Sequence, residues 1–347
     1  MIKIRPELVA ALDTGDGLQA ALQQAVMLEH ATIPAYLYAM YSIKTGSNSA
    51  IENLISSVVI EEMLHMALAC NILNAIGGSP VIDMPGFIPD YPSPLPGSVD
   101  EGLIVPLAPF SLDLVKNVFM EIEEPEDPLD FPVGAVAAPP TFITIGMFYN
   151  MIKEKLKLAG PGIWVGDQSK QVTDLNMPDL TEVYDFDTAA AAIDLIVEQG
   201  EGTTTDPMEP DSNTEPAHYY RYAEIYYGKT LIANPNPPPN PTPEQKYIYG
   251  GAPIPFDPTG VYPTVENPKA ANYPPGSKAR YACDTFNYTY TSLLKSLHST
   301  FNGNRNQLGT AVGLMESLKE QVVDLMAIDL GNGFTAGPSF EYQPVNP

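Results

Sequence analysis

Basic residues are scarce in this chain: 17 Lys and Arg stand against 42 Asp and Glu, a formal net charge of -25. Nucleic acid and anionic lipid surfaces both require a basic face, so neither is an expected partner. Cysteine is almost missing, and its two occurrences, Cys70 and Cys283, lie far apart. Thiolate metal clusters are thereby excluded, and a disulfide framework is not expected. No run of roughly 20 apolar residues free of charge is present, because the longest apolar helical stretch carries Glu61, Glu62 and His65. A membrane span is therefore not expected. The first residues, Met1 to Pro6, lack the apolar region of a secretory signal, which makes the cytoplasm the expected compartment. Phosphate-cradling glycine loops, a serine nucleophile elbow and short-period repeats are absent as well.

What the chain has is length, apolar content and proline. With 347 residues and 44% hydrophobic residues it can bury a large core. Its 36 prolines concentrate in 83–109, 123–140 and, most densely, 234–275. Proline is excluded from helix interiors and central strands, so these stretches are read as ordered wraps or linkers. Tyr247, Tyr249, Phe256, Tyr262 and Tyr273 are positioned to anchor the last of them to a bundle, where it could roof a pocket.

Between the proline-rich stretches the apolar residues recur with helical spacing. Over 17–42, Leu18, Leu22, Ala25, Glu29, Ile33 and Tyr36 share one stripe, which turns Glu29 toward the core. A second stripe runs through Ile51, Leu54, Ile55, Val58, Glu62, His65, Ala69, Ile72 and Ile76, closed by Gly77-Gly78 and Pro80. Glu62 and His65 are one turn apart, so both can reach one ion. Ile60, Met63, Leu64 and Met66 surround them, and an uncompensated carboxylate in such a place costs several kcal/mol. Further helices are expected at 187–199, 286–301 and 307–329, the last two forming a hairpin. His298, between Leu294 and Phe301, is read as a structural histidine.

The spacing Glu-x-x-His recurs at Glu215 and His218, with Pro216 suited to a first helical turn. Two such motifs with further glutamates are the ligand inventory of two-metal carboxylate bundles. Glutamate oxygen and imidazole nitrogen suit iron or manganese. The competing reading is a metal-free hydrogen-bonded network, in which Glu29 meets a tyrosine and Glu61 is exposed or paired to Lys44.

Beyond these motifs, several stretches resemble a known family. They are 28–38 (LEHATIPAYLY), 61–66 (EEMLHM) through 71–78 (NILNAIGG), 119–126 (FMEIEEPE), 145–149 (IGMFY), 198–202 (EQGEG), 218–222 (HYYRY) and 335–341 (TAGPSFE). Together these stretches resemble the ferritin-like domain family, including a domain related to the iminophenylpyruvate dimer synthases of violacein and rebeccamycin biosynthesis. The resemblance implies an all-α ferritin-like helical bundle with long Pro-rich irregular crossovers and an additional C-terminal helical hairpin. It further implies metal ligands at Glu29, Glu62, His65 and His218, with Glu198 and Glu215 as further candidates, and Tyr36 and Tyr149 beside them. One position departs from the family pattern: Met147 stands where glutamate is usual. Thioether sulfur suits a hard ion poorly, so either one metal binds or a nearby carboxylate such as Glu154 substitutes.

The expected organisation is a metal-binding bundle over 1–232, a Pro-rich wrapping segment over 233–280 and a C-terminal hairpin over 281–347. The expected function is a non-haem iron or manganese oxidoreductase, holding one or two ions and using dioxygen on a small, amino-acid-derived metabolite. The alternatives are a ferroxidase-type metal-binding protein without organic substrate, or a vestigial metal-free bundle. A homodimer through the apolar C-terminal hairpin is a further expectation.

Overall fold

The computed structural model describes residues 15–96, 103–125, 129, 144–173, 177–203, 205–209 and 215–343. Two 27-residue helices form its axis, α1 (Gly15–Tyr41) and α2 (Ser49–Ala75), packed as an antiparallel hairpin. Each runs about 40 Å, at 1.5 Å per residue. Asn48 opens α2 in a left-handed conformation (φ 47°), held by side-chain hydrogen bonds to the Asp257 backbone. At the other end Gly77 takes φ 79° and the Gly78 amide donates to the Leu73 carbonyl at 2.9 Å, so the helix stops where the glycine pair is expected to stop it.

By length and composition α2 passes as a membrane-spanning helix, which differs from the sequence expectation. Its most apolar stretch is 72% buried inside the bundle, however, and the carboxylate and imidazole side chains it carries are buried with it. It is a core helix.

A short helix, α3, covers 112–122 and is α-helical at Leu112–Leu114 and Met120–Ile122, with a π turn at Val115–Phe119 between them. The apolar spacing gives no sign of it. Helices α4 (Ile145–Ala159) and α5 (Phe186–Glu201) pack on each other and flank α1 and α2. Thr144 caps α4 by accepting from the Met147 amide, and Asp185 with Thr188 forms a capping box on α5. Buried amides tie the connection between them to α2. The Asn71 side chain donates to the Val172 and Thr181 carbonyls, and Gln171 donates to the Asn71 carbonyl. Helix α6 (His218–Tyr227) closes the bundle. It starts at His218 rather than near Glu215, because the chain before it is extended and bridges Met208 to Pro216.

Among the described residues the one sheet is a strand pair at the entry to the Pro-rich stretch. Strand β1 (Lys229–Ala233) pairs antiparallel with β2 (Tyr247–Pro253), and the proline cluster of 235–243 forms the connection between them. The chain then straps the α1–α2 turn: the Lys44 amide donates to Gly260 O and the Tyr262 amide to Ser42 O, while Phe256 packs edge-on against Phe110. Tyr273 is buried, and its hydroxyl lies 2.9 Å from Gly337 O. The segment is an ordered wrap, as its aromatics suggest, but it lines none of the cavities described below. Much of 123–140 lies outside the described residues.

Helices α7 (Lys278–Phe301) and α8 (Leu308–Met326) form the C-terminal hairpin. Ser277 caps α7, which therefore begins well before 286. The stripe Leu318, Val322 and Leu325 on α8 is buried within the molecule. One hydrophobic core takes in Leu22 of α1, Ile254 of the wrap and Phe286 of the hairpin, so the three sequence segments share a common interior.

Candidate metal centre

Helical spacing turns Glu29 of α1 and Glu62 and His65 of α2 toward each other across the hairpin, and α6 brings in His218 from the side. All four are at most 4% exposed. His65 Nδ1 lies 3.6 Å from Glu29 Oε2 and 3.8 Å from Glu62 Oε1. His218 Nδ1 lies 3.0 Å from Glu62 Oε1 and 3.5 Å from Glu123 Oε2. Two lobes result, Glu29–His65–Glu62 and Glu62–His218–Glu123, sharing the Glu62 carboxylate. One donor atom from each of Glu62, His65 and His218 falls within 4.8 Å of the others. Opposed ligands on one ion stand ~4.2 Å apart for bonds of ~2.1 Å, so a small inward adjustment would bring these groups to one cation.

The outer side of each ring is fixed. His65 Nε2 is 2.9 Å from Gln199 Oε1, and His218 Nε2 is 2.9 Å from Glu61 Oε2. Both partners accept, so each Nε2 carries the proton and each Nδ1 presents its lone pair to the cluster. His218 Nδ1 is fully buried and makes a hydrogen bond to nothing among the described residues, despite the carboxylate oxygens beside it. A lone pair facing carboxylate oxygens is repulsive unless a proton or a cation stands between them. Second partners that set ring orientation and tautomer are the usual support of metal-ligating histidines. The donor set thus fits a metal ion.

The carboxylates are held as well. Tyr149 donates to Glu29 Oε1 at 2.6 Å, Tyr36 to Glu123 Oε1 at 2.5 Å, and the Thr32 hydroxyl lies 2.8 Å from Glu62 Oε2. Arg221, buried beneath His218, forks onto both oxygens of Glu61 at 2.7 and 3.0 Å and also contacts Glu209, Ser57 and the Pro216 carbonyl. Burial raises the Glu62 carboxyl to about 7, with the Glu123 charge adding to the effect. Burial would also raise Glu61, but its hydrogen bonds and charge interactions with His218 and Arg221 hold it down at about 2. For both cluster histidines burial would lower the pKa; the neighbouring carboxylates reverse this, raising His65 and lifting His218 well above its ordinary value. Without a cation, protons take the cation's place.

Of the residues singled out in the sequence, Glu29, Glu62, His65 and His218 come together, and Tyr36 and Tyr149 each hold a cluster carboxylate. Glu215 is exposed, because the extended chain before α6 does not share the face of His218. Glu198 lines a neighbouring cavity, and its successor Gln199 turns inward instead. Met147 lines that same neighbouring cavity, and Glu154 is exposed, so α4 offers the cluster the hydroxyl of Tyr149 and no carboxylate. The remaining carboxylate is Glu123, which periodicity missed. It follows a helix of 11 positions interrupted by a π turn and is succeeded by Pro125, too short for a stripe to declare itself. The one available signal is its place in the family-like stretch 119–126.

A cavity of about 20 Å³, room for a single water, adjoins Glu29, Glu62, His65 and Glu123. Beyond Gly146, Val197 and Glu201 lies a larger one of about 280 Å³, lined also by Asn150, Asp194 and Thr203. Glu201 accepts from the Gly146 amide at 2.7 Å and stands between the two.

Helices that converge buried carboxylates and imidazoles on one point are the architecture of carboxylate bundles, and the set here could hold a metal ion. The ferritin-like family profile matches residues 22–227, and the chain belongs to this ferritin-like family. Dichlorochromopyrrolate synthase of Lentzea aerocolonigenes is 25% identical over 95% of this chain, which spans 36% of that protein's length. A ferritin-like protein from Caulobacter vibrioides, solved by crystallography, superposes with a TM-score of 0.56 at 25% identity, covering 94% of this chain and 97% of its own.

Proposed function

We propose that this protein is a cytoplasmic metal-dependent oxidoreductase that holds one or two ions, iron with manganese as the alternative, and acts with dioxygen on a small, amino-acid-derived metabolite. The observation that carries the reading is His218 Nδ1: buried, without a hydrogen bond among the described residues, anchored from behind through Glu61 and Arg221, and faced by the carboxylates of Glu62 and Glu123. A single ion would be held by Glu62, His65 and His218; two would be divided between Glu29, His65 and Glu62 on one side and Glu62, His218 and Glu123 on the other. A redox-active metal there supplies one-electron chemistry that amino-acid side chains lack.

The protein's own groups have definable tasks. Glu62, with its carboxyl lifted to about 7, exchanges a proton near neutral pH and so compensates charge as ions enter. Gln199 and Glu61 keep both Nδ1 atoms unprotonated toward the ions. Tyr149 and Tyr36 fix the carboxylate rotamers of Glu29 and Glu123. The small cavity admits a molecule no larger than water or dioxygen, so an organic substrate occupies the larger cavity behind Gly146 and Glu201. The name of the Lentzea relative, a synthase of a dichlorochromopyrrolate, supports a role in making a small organic metabolite.

The test is oxygen uptake by Fe(II)-reconstituted protein against a panel of aromatic amino acids and their 2-oxo and imino derivatives. Substrate-dependent uptake with stoichiometric product is expected. Uptake driven by Fe(II) alone would point to a ferroxidase, and retention of less than about 0.1 metal per chain would remove the reading altogether.

A further inference from the structure

Glu201, the last residue of α5, lines both the small cavity at the cluster and the larger one beyond Gly146. Its neighbour Gly200 is turned to the cluster, where a Cβ would lie 3.9 Å from Glu123 Oε2. Successive Cα atoms are about 3.8 Å apart, so the Glu201 side chain hangs from backbone one residue away from that contact. In the structure its carboxylate rests on the first turn of α4, accepting from the Gly146 amide at 2.7 Å. A Cβ at position 146 would stand 2.6 Å from Glu201 Oε2 and 3.0 Å from Oε1. The seat exists because residue 146 has no side chain.

Local structure gives little reason for a glutamate there. Thr144 already caps α4, and a carboxylate on the last residue of α5 opposes the dipole of its own helix. Charge in the cluster gives a better one. Two divalent ions bring four positive charges, whereas Glu29, Glu62 and Glu123 supply three negative ones, and Glu61 is already engaged by Arg221. Unbalanced charge in a buried site is costly. Among the described residues Glu201 is the one further carboxylate lining the cavity at the cluster, and α4, with Met147, offers none.

We propose that Glu201 is a further metal ligand of this cluster, seated on the Gly146 amide in the structure and turning inward as two ions enter. The inference rests on the metal-binding reading and adds to it a residue outside both lobes. Since Glu201 stands between the two cavities, the same turn opens the small one toward the larger.

Anaerobic calorimetric titration of the chelator-treated full chain with Mn(II), and absorption spectroscopy with Co(II), test it. Glu201→Gln keeps an oxygen to accept from Gly146, so its Tm without metal should match wild type, while Mn(II) binding weakens about 100-fold, the upper end of what loss of a supporting partner costs. Ligation itself is read from Glu201→Cys, because a thiolate bound to Co(II) gives an intense near-ultraviolet charge-transfer band. Wild type is the blank, its Cys70 and Cys283 being buried. Glu198→Cys, one turn earlier and lining only the larger cavity of the two, should give no band. Wild-type Mn(II) affinity in Glu201→Gln overturns the proposal and leaves the metal reading standing, as does a Co(II) complex of Glu201→Cys without the band or with one equal to that of Glu198→Cys. A wild type that binds neither ion overturns both.

Discussion

Replacing His65 with alanine tests the cluster most directly, because the same side chain is asked to do opposite things with and without metal. In metal-free protein His65 stands between Glu29 and Glu62, at 3.6 and 3.8 Å, and its raised pKa supplies positive charge between two buried carboxylates. Removing it leaves that pair uncompensated, for which about 3–5 kcal/mol is the usual cost. Part of this is recovered at low pH, since Glu62 protonates near 7. The deficit should therefore be smaller at pH 5.5 than at pH 8. Metal acts the other way. A ligand at 100 times its Kd stabilises the folded state by ~2.7 kcal/mol, which for a chain of this size raises Tm by roughly 4 °C. The assay is thermal unfolding of chelator-treated wild type and His65→Ala, with and without anaerobic Mn(II), alongside elemental analysis. Wild type should gain that increment and the variant little or none, with helical circular dichroism retained in both. A variant that takes up metal and responds in Tm as wild type does would refute the reasoning, as would a wild type whose Tm ignores every divalent ion offered.

Other predictions concern the supports of the site. Glu62, His65 and His218 all bind protons more tightly when folded. Their stabilisation is complete below the unfolded values, 4.5 for the carboxyl and 6.5 for the imidazoles, and is lost as pH rises through the raised folded values. Glu61, held down at about 2, contributes in full above 4.5 and loses its contribution as pH falls toward 2. Urea unfolding of metal-free protein should accordingly show lower stability at pH 8.5 than at 5.5, and saturating metal should flatten or invert that slope. Arg221→Met strands Glu61 and Glu209, so a loss of about 3–5 kcal/mol in urea unfolding is expected, and Arg221→Lys should not restore it because one ammonium cannot reproduce the fork onto Glu61. Met147→Glu should leave the number of bound metal ions unchanged in elemental analysis, since position 147 faces the neighbouring cavity.

The parts of this protein legible in sequence are those where one helix suffices to decide direction. Spacing of three and four puts Glu29, Glu62 and His65 on core-facing stripes, and Gly77-Gly78 ends α2 where the pattern says it should. A left-handed glycine and a helical period are local properties, set by one residue's sterics and by 3.6 residues per turn. The second Glu-x-x-His spacing misled for the same reason, because the motif presumes a helix that the extended chain at Glu215–Pro216 does not form. Glu123 and Gln199 carry no periodic signal strong enough to mark them. One follows a short helix with a π turn, and the other is an uncharged amide next to a more conspicuous glutamate. The strand pair at the entry to the Pro-rich wrap was hidden as well, since its pairing joins segments separated by the whole proline cluster.

The sequence by itself determined that buried acids and imidazoles would need a neutralising partner, because their burial follows from helical geometry and the cost of desolvation follows from chemistry. Only the tertiary structure decided which of them share a point in space. It set His218 with Nδ1 inward by placing Glu61 and Arg221 behind it, gave the third carboxylate of the cluster to Glu123, and put His30 on the far side of α1. Those choices depend on the crossing of helices distant in the chain, which no local period encodes.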